Sequence, residues 1–280
     1  MPVDHYENFP VASLLLPAKL RYPIEIIYRF ARSADDIADE GQCSNSERLA
    51  QLAVYQDKLA QIAAGTPPLA DPIFTPLAEI IDQHQLPIQL FADLLDAFAQ
   101  DVVVKRYADY PTLLDYCRRS ANPVGRLVLY LFGVTQKQHM EQSDCICSAL
   151  QLINFWQDVA IDWQKGRVYL PQEDLQRFGV AENHIAQATQ ETAWQNLMRF
   201  EVQRSRELML AGLPLLAVLP GRLAWEIRLT IEGGLRILER LEQANYDVFQ
   251  RRPKLAWRDW LVLGQRCLFP PNYHRKNTTK

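Results

Sequence analysis

Apolar residues recur at i, i+3, i+4 and i+7 over long stretches of the chain, and no ladder of alternating apolar and polar positions stands out. That period of about 3.6 predicts amphipathic helices. Helices are expected over 23–40, with a proline near the first turn, and over 46–64, 72–83, 87–103, 110–132, 144–165, 191–210 and 222–248. Only 11 glycines occur and no Asn-Gly or Asp-Gly hairpin turn, so the fold class read from the pattern is all-α. Breaks fall at 65–68, 166–179 and 219–221, each short and followed at once by renewed apolar periodicity. The expectation is therefore one domain over 1–269, with 270–280 as a disordered tail where periodicity is lost.

At 280 residues, with 48% hydrophobic and 22% charged positions, the chain can bury one sizeable core. Thirty Lys and Arg against 33 Asp and Glu leave a net charge of −3, which excludes the basic field a nucleic-acid partner requires. Five cysteines without metal or redox spacing, and no signal-like segment in the first twenty residues, point to a reduced, cytoplasmic setting. The longest apolar stretch, 208–219, holds Gly212 and Pro214 and is well short of the ~20 residues of a membrane span. It is read as core, with a hydrophobic rim against a membrane surface as the alternative.

The chemistry concentrates in two acidic clusters. In the first, Tyr28, Arg32, Asp35 and Asp39 fall within about 60° of one another at ~100° per residue. Two carboxylates at i, i+4 repel by a few tenths of a kcal/mol unless a cation lies between them. Mg²⁺, which commonly joins carboxylates to phosphate oxygens, is the natural candidate. A solvated acidic face near a helix end accounts for this cluster alone equally well. In the second, Gln151, Asn154, Asp158 and Asp162 form a stripe about 80° wide, flanked over 150–163 by apolar or aromatic residues apart from Gln157. Such a stripe must line a cavity or meet polar partners, because unpaired buried polar groups cost several kcal/mol. Arg167, in the short segment after this helix, is placed to close over an anion.

Two aspartate faces holding Mg²⁺ suit the departure of a diphosphate from carbon. The carbocation left behind needs dry aromatic walls, for which Phe9, Tyr28, Phe30, Tyr116, Trp156 and Tyr246 are candidates.

Taken together, five segments resemble the squalene/phytoene synthase family. They are His5, Tyr6, Glu7, Asn8 and Phe9; Tyr28, Arg32, Asp35, Asp36 and Asp39; Tyr116 and Cys117 through Pro123, Val124 and Gly125; Gln151, Asn154, Asp158 and Asp162 with Gly166, Arg167, Tyr169 and Pro171; and Gln243, Ala244, Asn245 and Tyr246. The resemblance spans nearly the whole chain. It implies a single-domain isoprenoid synthase helical bundle around a central hydrophobic channel, with an isoprenoid diphosphate as substrate. It implies Mg²⁺ ligands at Asp35, Asp39, Asn154, Asp158 and Asp162, with Asp36 adjoining. Diphosphate contacts would fall on Tyr28, Arg32, Gln151 and Tyr246, with Tyr116 near the reacting carbons and Asn8 and Phe9 in the substrate-binding N-terminal segment.

Two departures narrow the reading. Tyr6, Glu7, Asn8 and Phe9 stand where condensing members of the family usually carry a small Ser-x-Ser-Phe, and Gln157 stands where they carry Arg before the aspartate. The combination looks like the family's hopanoid-pathway branch, which converts presqualene diphosphate to hydroxysqualene and diphosphate, with water rather than hydride ending the reaction. Tyr116 and Gln157 are the candidates for positioning that water. The partners implied are enzymes that supply presqualene diphosphate and reduce hydroxysqualene. A head-to-head condensing synthase and a non-catalytic assembly protein on the same fold are the alternatives. A class I terpene cyclase is disfavoured, because its usual second motif does not match Asp158 to Asp162.

Overall fold

The computed structural model describes residues 17–250, 252–271 and 273; the N-terminal 5–9 segment lies outside them. The architecture is all-α. Twelve helices are formed among the described residues: α1 (Ala18–Asp39), α2 (Asn45–Ala63), α3 (Phe74–His84), α4 (Ile88–Val103), α5 (Tyr110–Ser120), α6 (Asn122–Leu131), α7 (Lys137–Gln164), α8 (Gln172–Arg177), α9 (Glu182–Ala186), α10 (Thr192–Ala211), α11 (Gly221–Gln243) and α12 (Trp257–Leu268). A 3-10 turn, Leu213–Ala217, joins α10 to α11. One isolated parallel bridge, Arg106 to Val168, is the only strand-like pairing among the described residues.

Several boundaries depart from the sequence expectation for identifiable reasons. The helix expected over 110–132 breaks at Ala121, because Pro123 lacks the N–H that an uninterrupted helix would use; it sits instead in the first turn of α6. The last helix of the pattern ends at Gln243 rather than 248, where Asn245 and Tyr246 enter the left-handed region at φ 49° and 61°. Helices α8, α9 and α12 have no counterpart in the expectation.

No linker marks it, yet the contacts of the chain group into two compact units. The first runs to Lys105 and includes Pro111–Cys147; the second holds Arg106–Tyr110 and the residues from Ser148 onward. In the first unit, α1 buries Ile27, Phe30, Ala34 and Ala38 against α2, α3, α4 and α6. Phe30 meets Phe74 and Phe91 edge-on, with centroids 5.8 and 5.4 Å apart, a geometry favoured by the ring quadrupole. Gly125 allows α6 to approach α7: a Cβ there would lie 2.5 Å from Cys147 Sγ and 2.6 Å from Ser143 Oγ.

In the second unit, α7 packs through Leu150 and Ile153 on Gly234 of α11, where a Cβ would lie 3.1 and 3.3 Å from them and 2.8 Å from Met209 Cε. Trp156 and Trp194 are buried and satisfied, the first donating to Ser205 Oγ at 2.7 Å and the second to the Tyr246 carbonyl at 3.0 Å. The stretch 208–219 is core on one side, with Met209, Leu215 and Leu219 buried.

One buried cluster in this unit sets a pH dependence. A single Arg204 nitrogen donates to Glu201 at 2.5 Å and to Asp174 at 2.9 Å, so one cation faces two carboxyls. Burial holds the Glu201 pKa up at about 8, against the pull of Arg204 and with the Asp174 charge adding to the rise. The folded chain then keeps a proton that the unfolded chain releases near 4.5. Stability is expected to fall as pH rises across that window. Glu201→Gln should flatten the fall in urea midpoint between those limits; an unchanged slope in the variant would remove Glu201 as its source.

Candidate active site

On α1 of the first unit, Tyr28, Arg32, Asp35 and Asp39 are all half-buried, on the side away from the fully buried Phe30 and Ala34. Arg32 sits among acids: its guanidinium lies 2.7 Å from Asp36, 2.9 Å from Glu40 and 3.4 Å from Asp35. Asp35 is pushed up to about 6, first by burial and then by the Asp39 charge, with Arg32 opposing and Asp101 adding to the rise. Burial and the neighbouring carboxylates thus disfavour a second negative charge on this face.

Asp101, on α4, was not singled out in the sequence. It is buried and accepts a 2.6 Å hydrogen bond from the Tyr116 hydroxyl. Tyr116, on α5, is itself buried. The first unit thus brings Tyr116, Asp101, Asp35 and Asp39 into one electrostatic neighbourhood. Cys117, next to Tyr116, is held as a thiol by burial, so nucleophilic sulfur chemistry has no place there.

In the second unit, α7 presents Gln151, Asn154, Asp158 and Asp162 as a half-buried stripe between the buried Leu152, Phe155, Trp156 and Val159. Asp158 is gripped by Arg252, through Nε and through Nη2 at 3.0 Å, and the same Nη2 is 3.4 Å from Asn154 Oδ1. Two oxygen-bearing side chains therefore converge on one cationic group. Arg252 is held there by its neighbour: the buried Gln157 donates from Nε2 to the Pro253 carbonyl at 2.7 Å.

After α7 the chain turns at Gly166, at φ 75°, a conformation open to glycine without cost. The backbone N–H of Arg167 donates to the Asp162 carbonyl at 2.8 Å. Tyr169 stacks on Phe155 with centroids 3.7 Å apart, and Arg106 pins the segment by donating to the Gly166 carbonyl at 2.6 Å. The half-buried Arg167 side chain is thus carried on an ordered segment next to the stripe. Tyr246 is buried, with Arg199 5.9 Å from its ring centroid.

Two aromatic expectations are corrected by packing: Phe30 is enclosed in the first unit's core and Trp156 in the second's, both with no exposed surface. Gln157 is buried as well, and its amide donates to the Pro253 carbonyl. Asn8 and Phe9 fall outside the described residues.

Among the described residues no group of three or more His, Cys, Asp or Glu side chains forms a metal cage. The candidate donors are nevertheless hard oxygen throughout, with Asp35 and Asp39 close enough to interact electrostatically. That fits Mg²⁺, which retains waters and takes one or two carboxylates together with phosphate oxygens.

Residues 3–259 match the family model described as squalene/phytoene synthase. A hydroxysqualene synthase of Sinorhizobium fredii is 31% identical over 260 residues, 92% of this chain and 86% of the relative. A phytoene synthase of Arthrospira platensis is 28% identical over 274 residues, 93% of this chain and 88% of the relative. The crystal structure of squalene synthase HpnC from Alicyclobacillus acidocaldarius superposes with a TM-score of 0.80 at 35% identity, covering 87% of this chain and 90% of that one.

Proposed function

The chain belongs to the squalene/phytoene synthase family, and on that premise we propose that it converts presqualene diphosphate to hydroxysqualene and diphosphate. The observation that carries the reading is Gln157. A neutral side chain, buried and bonded to Pro253, occupies the position at which the family's condensing members carry arginine. Relatives named hydroxysqualene synthase, at 31% and 33% identity over most of the chain, support it.

Asp35, Asp39, Asn154, Asp158 and Asp162 would hold Mg²⁺, with Asp36 engaged instead by Arg32. When bound, the metal supplies neutralisation of the charge that develops on the departing diphosphate. Arg32 and Arg167 donate hydrogen bonds to the leaving oxygens as the carbon–oxygen bond breaks and its electron pair leaves with diphosphate. The cyclopropylcarbinyl cation opens, water adds through oxygen to the chain carbon, and one proton is released to give the alcohol. Tyr116, whose hydroxyl donates to Asp101 at 2.6 Å, is the side chain assigned to the water.

The second reading, head-to-head condensation of two prenyl diphosphates, is favoured by the phytoene synthase relatives. Gas chromatography with mass spectrometry separates the two. The purified chain with Mg²⁺ and presqualene diphosphate is expected to give hydroxysqualene, and with farnesyl diphosphate alone no product. A C30 product from farnesyl diphosphate alone would overturn the first reading in favour of the second.

A further inference from the structure

The C-terminal helix α12 is oriented against the usual rule. Its buried positions are Asp259, Leu263 and Cys267, whereas Trp257, Trp260, Leu261 and Leu268 are 70%, 55%, 68% and 64% exposed. With Gly264 these exposed residues span an arc of roughly 100°. Phe269, just past the helix, is 75% exposed. A contiguous apolar stripe left in solvent marks a contact surface rather than a stray side chain.

Charge identifies the occupant. Residues 251–280 contain eight Lys or Arg and one acid, a net of +7, so the preceding 250 residues carry −10 of the chain's total of −3. Lys254 and Arg258 are exposed beside the apolar stripe, with the Arg258 guanidinium 5.3 Å from the Trp257 ring centroid. Two copies meeting through this face would bring like charges together. An anionic lipid surface complements both features, since indole rings settle at the headgroup boundary and basic side chains are drawn to acidic headgroups. No helix among the described residues is long and apolar enough to cross a membrane, so the geometry is that of a helix lying on the surface.

We propose that the exposed face of α12 docks the protein onto anionic bilayers, with Trp257, Trp260, Leu261, Leu268 and Phe269 entering the interface and Lys254 and Arg258 meeting the headgroups. The face stands on exposure and charge, independently of the reaction assigned above.

The test is co-sedimentation of the full chain with vesicles of phosphatidylcholine alone or of phosphatidylcholine with phosphatidylglycerol, at low and high salt. Binding to the anionic vesicles is expected to weaken at least tenfold on neutral vesicles or at high salt. Trp260→Glu combined with Leu261→Glu should weaken it at least tenfold with helical content unchanged by circular dichroism, as both sites are solvent-exposed. Binding that ignores lipid charge, or that survives the double substitution, overturns the proposal. So does a wild-type dimer, seen by sedimentation velocity without vesicle binding, that the substitutions dissociate; the face would then belong to a second copy.

Discussion

Asp158→Ala is expected to reduce diphosphate release and product formation at least about a thousandfold, equivalent to roughly 4 kcal/mol of lost transition-state stabilisation. The loss follows from position. Asp158 lies at the centre of the half-buried stripe on α7, and its carboxylate is the group on which the Arg252 guanidinium closes. Truncation removes a ligand from the proposed Mg²⁺ set and the carboxylate to which Arg252 donates. Asp39→Ala should act with similar size on the α1 face, where its charge helps to raise Asp35. Neither side chain is in the core, so the far-ultraviolet circular dichroism spectrum should be unchanged. A variant that turns over at a tenth of the parent rate or better would remove its residue from the ligand set.

Why these residues were legible in the sequence, and others not, is a matter of range. The faces formed by Tyr28, Arg32, Asp35 and Asp39, and by Gln151, Asn154, Asp158 and Asp162, each lie on one helix, so the 3.6 period alone places them. Asp101 and Arg252 reach Tyr116 and Asp158 from other elements, 15 and 94 residues away. No local pattern encodes such meetings. The only trace of Arg252 is its place six residues beyond Tyr246 in a basic stretch, which reads as a solvated charge run.

The fold shows the same division. Helices α2 to α4 follow their apolar period and lie within two residues of expectation, whereas α1 begins at Ala18, five residues early, with Pro23 inside it rather than in its first turn; α2 carries a capping box in which Ser44 and Glu47 exchange hydrogen bonds. The two-unit organisation was hidden because the boundary between Cys147 and Ser148 falls inside the uninterrupted α7, where composition marks no linker. Helix α12 was hidden because its apolar stripe faces outward and a charged residue lies inward. The period was present, but the rule that apolar means buried assigns it no partner.

That inward charge makes Asp259 a residue whose loss should cost the fold heavily. Asp259 has no exposed surface, and it accepts from Arg236 at 2.7 Å, from Arg240 at 2.7 Å and from the Ala256 backbone N–H at 2.7 Å. It caps the N-terminus of α12 and ties that helix to α11 in one carboxylate. The backbone bond and the two guanidinium groups outweigh burial and hold its pKa down at about 2. Asp259→Ala leaves two guanidinium groups short of their partner and an orphan N–H, so a loss of about 3–4 kcal/mol is expected. At ~2–4 °C per kcal/mol for a chain of this size, the thermal midpoint should fall by about 6–16 °C. The depressed pKa fixes the sign with pH. The contribution is complete above the ordinary carboxyl value of 3.8 and is lost as pH falls towards about 2, so parent and variant should differ fully at neutral pH and converge in acid. Because α12 is held by this carboxylate while its other face stays apolar and exposed, the same variant should lose anionic vesicle binding as the helix loosens, whereas Trp260→Glu with Leu261→Glu should lose it with the thermal midpoint unchanged. A variant within about 1 °C of the parent at neutral pH would mean that packing of Leu263 and Cys267, rather than the carboxylate, anchors the helix.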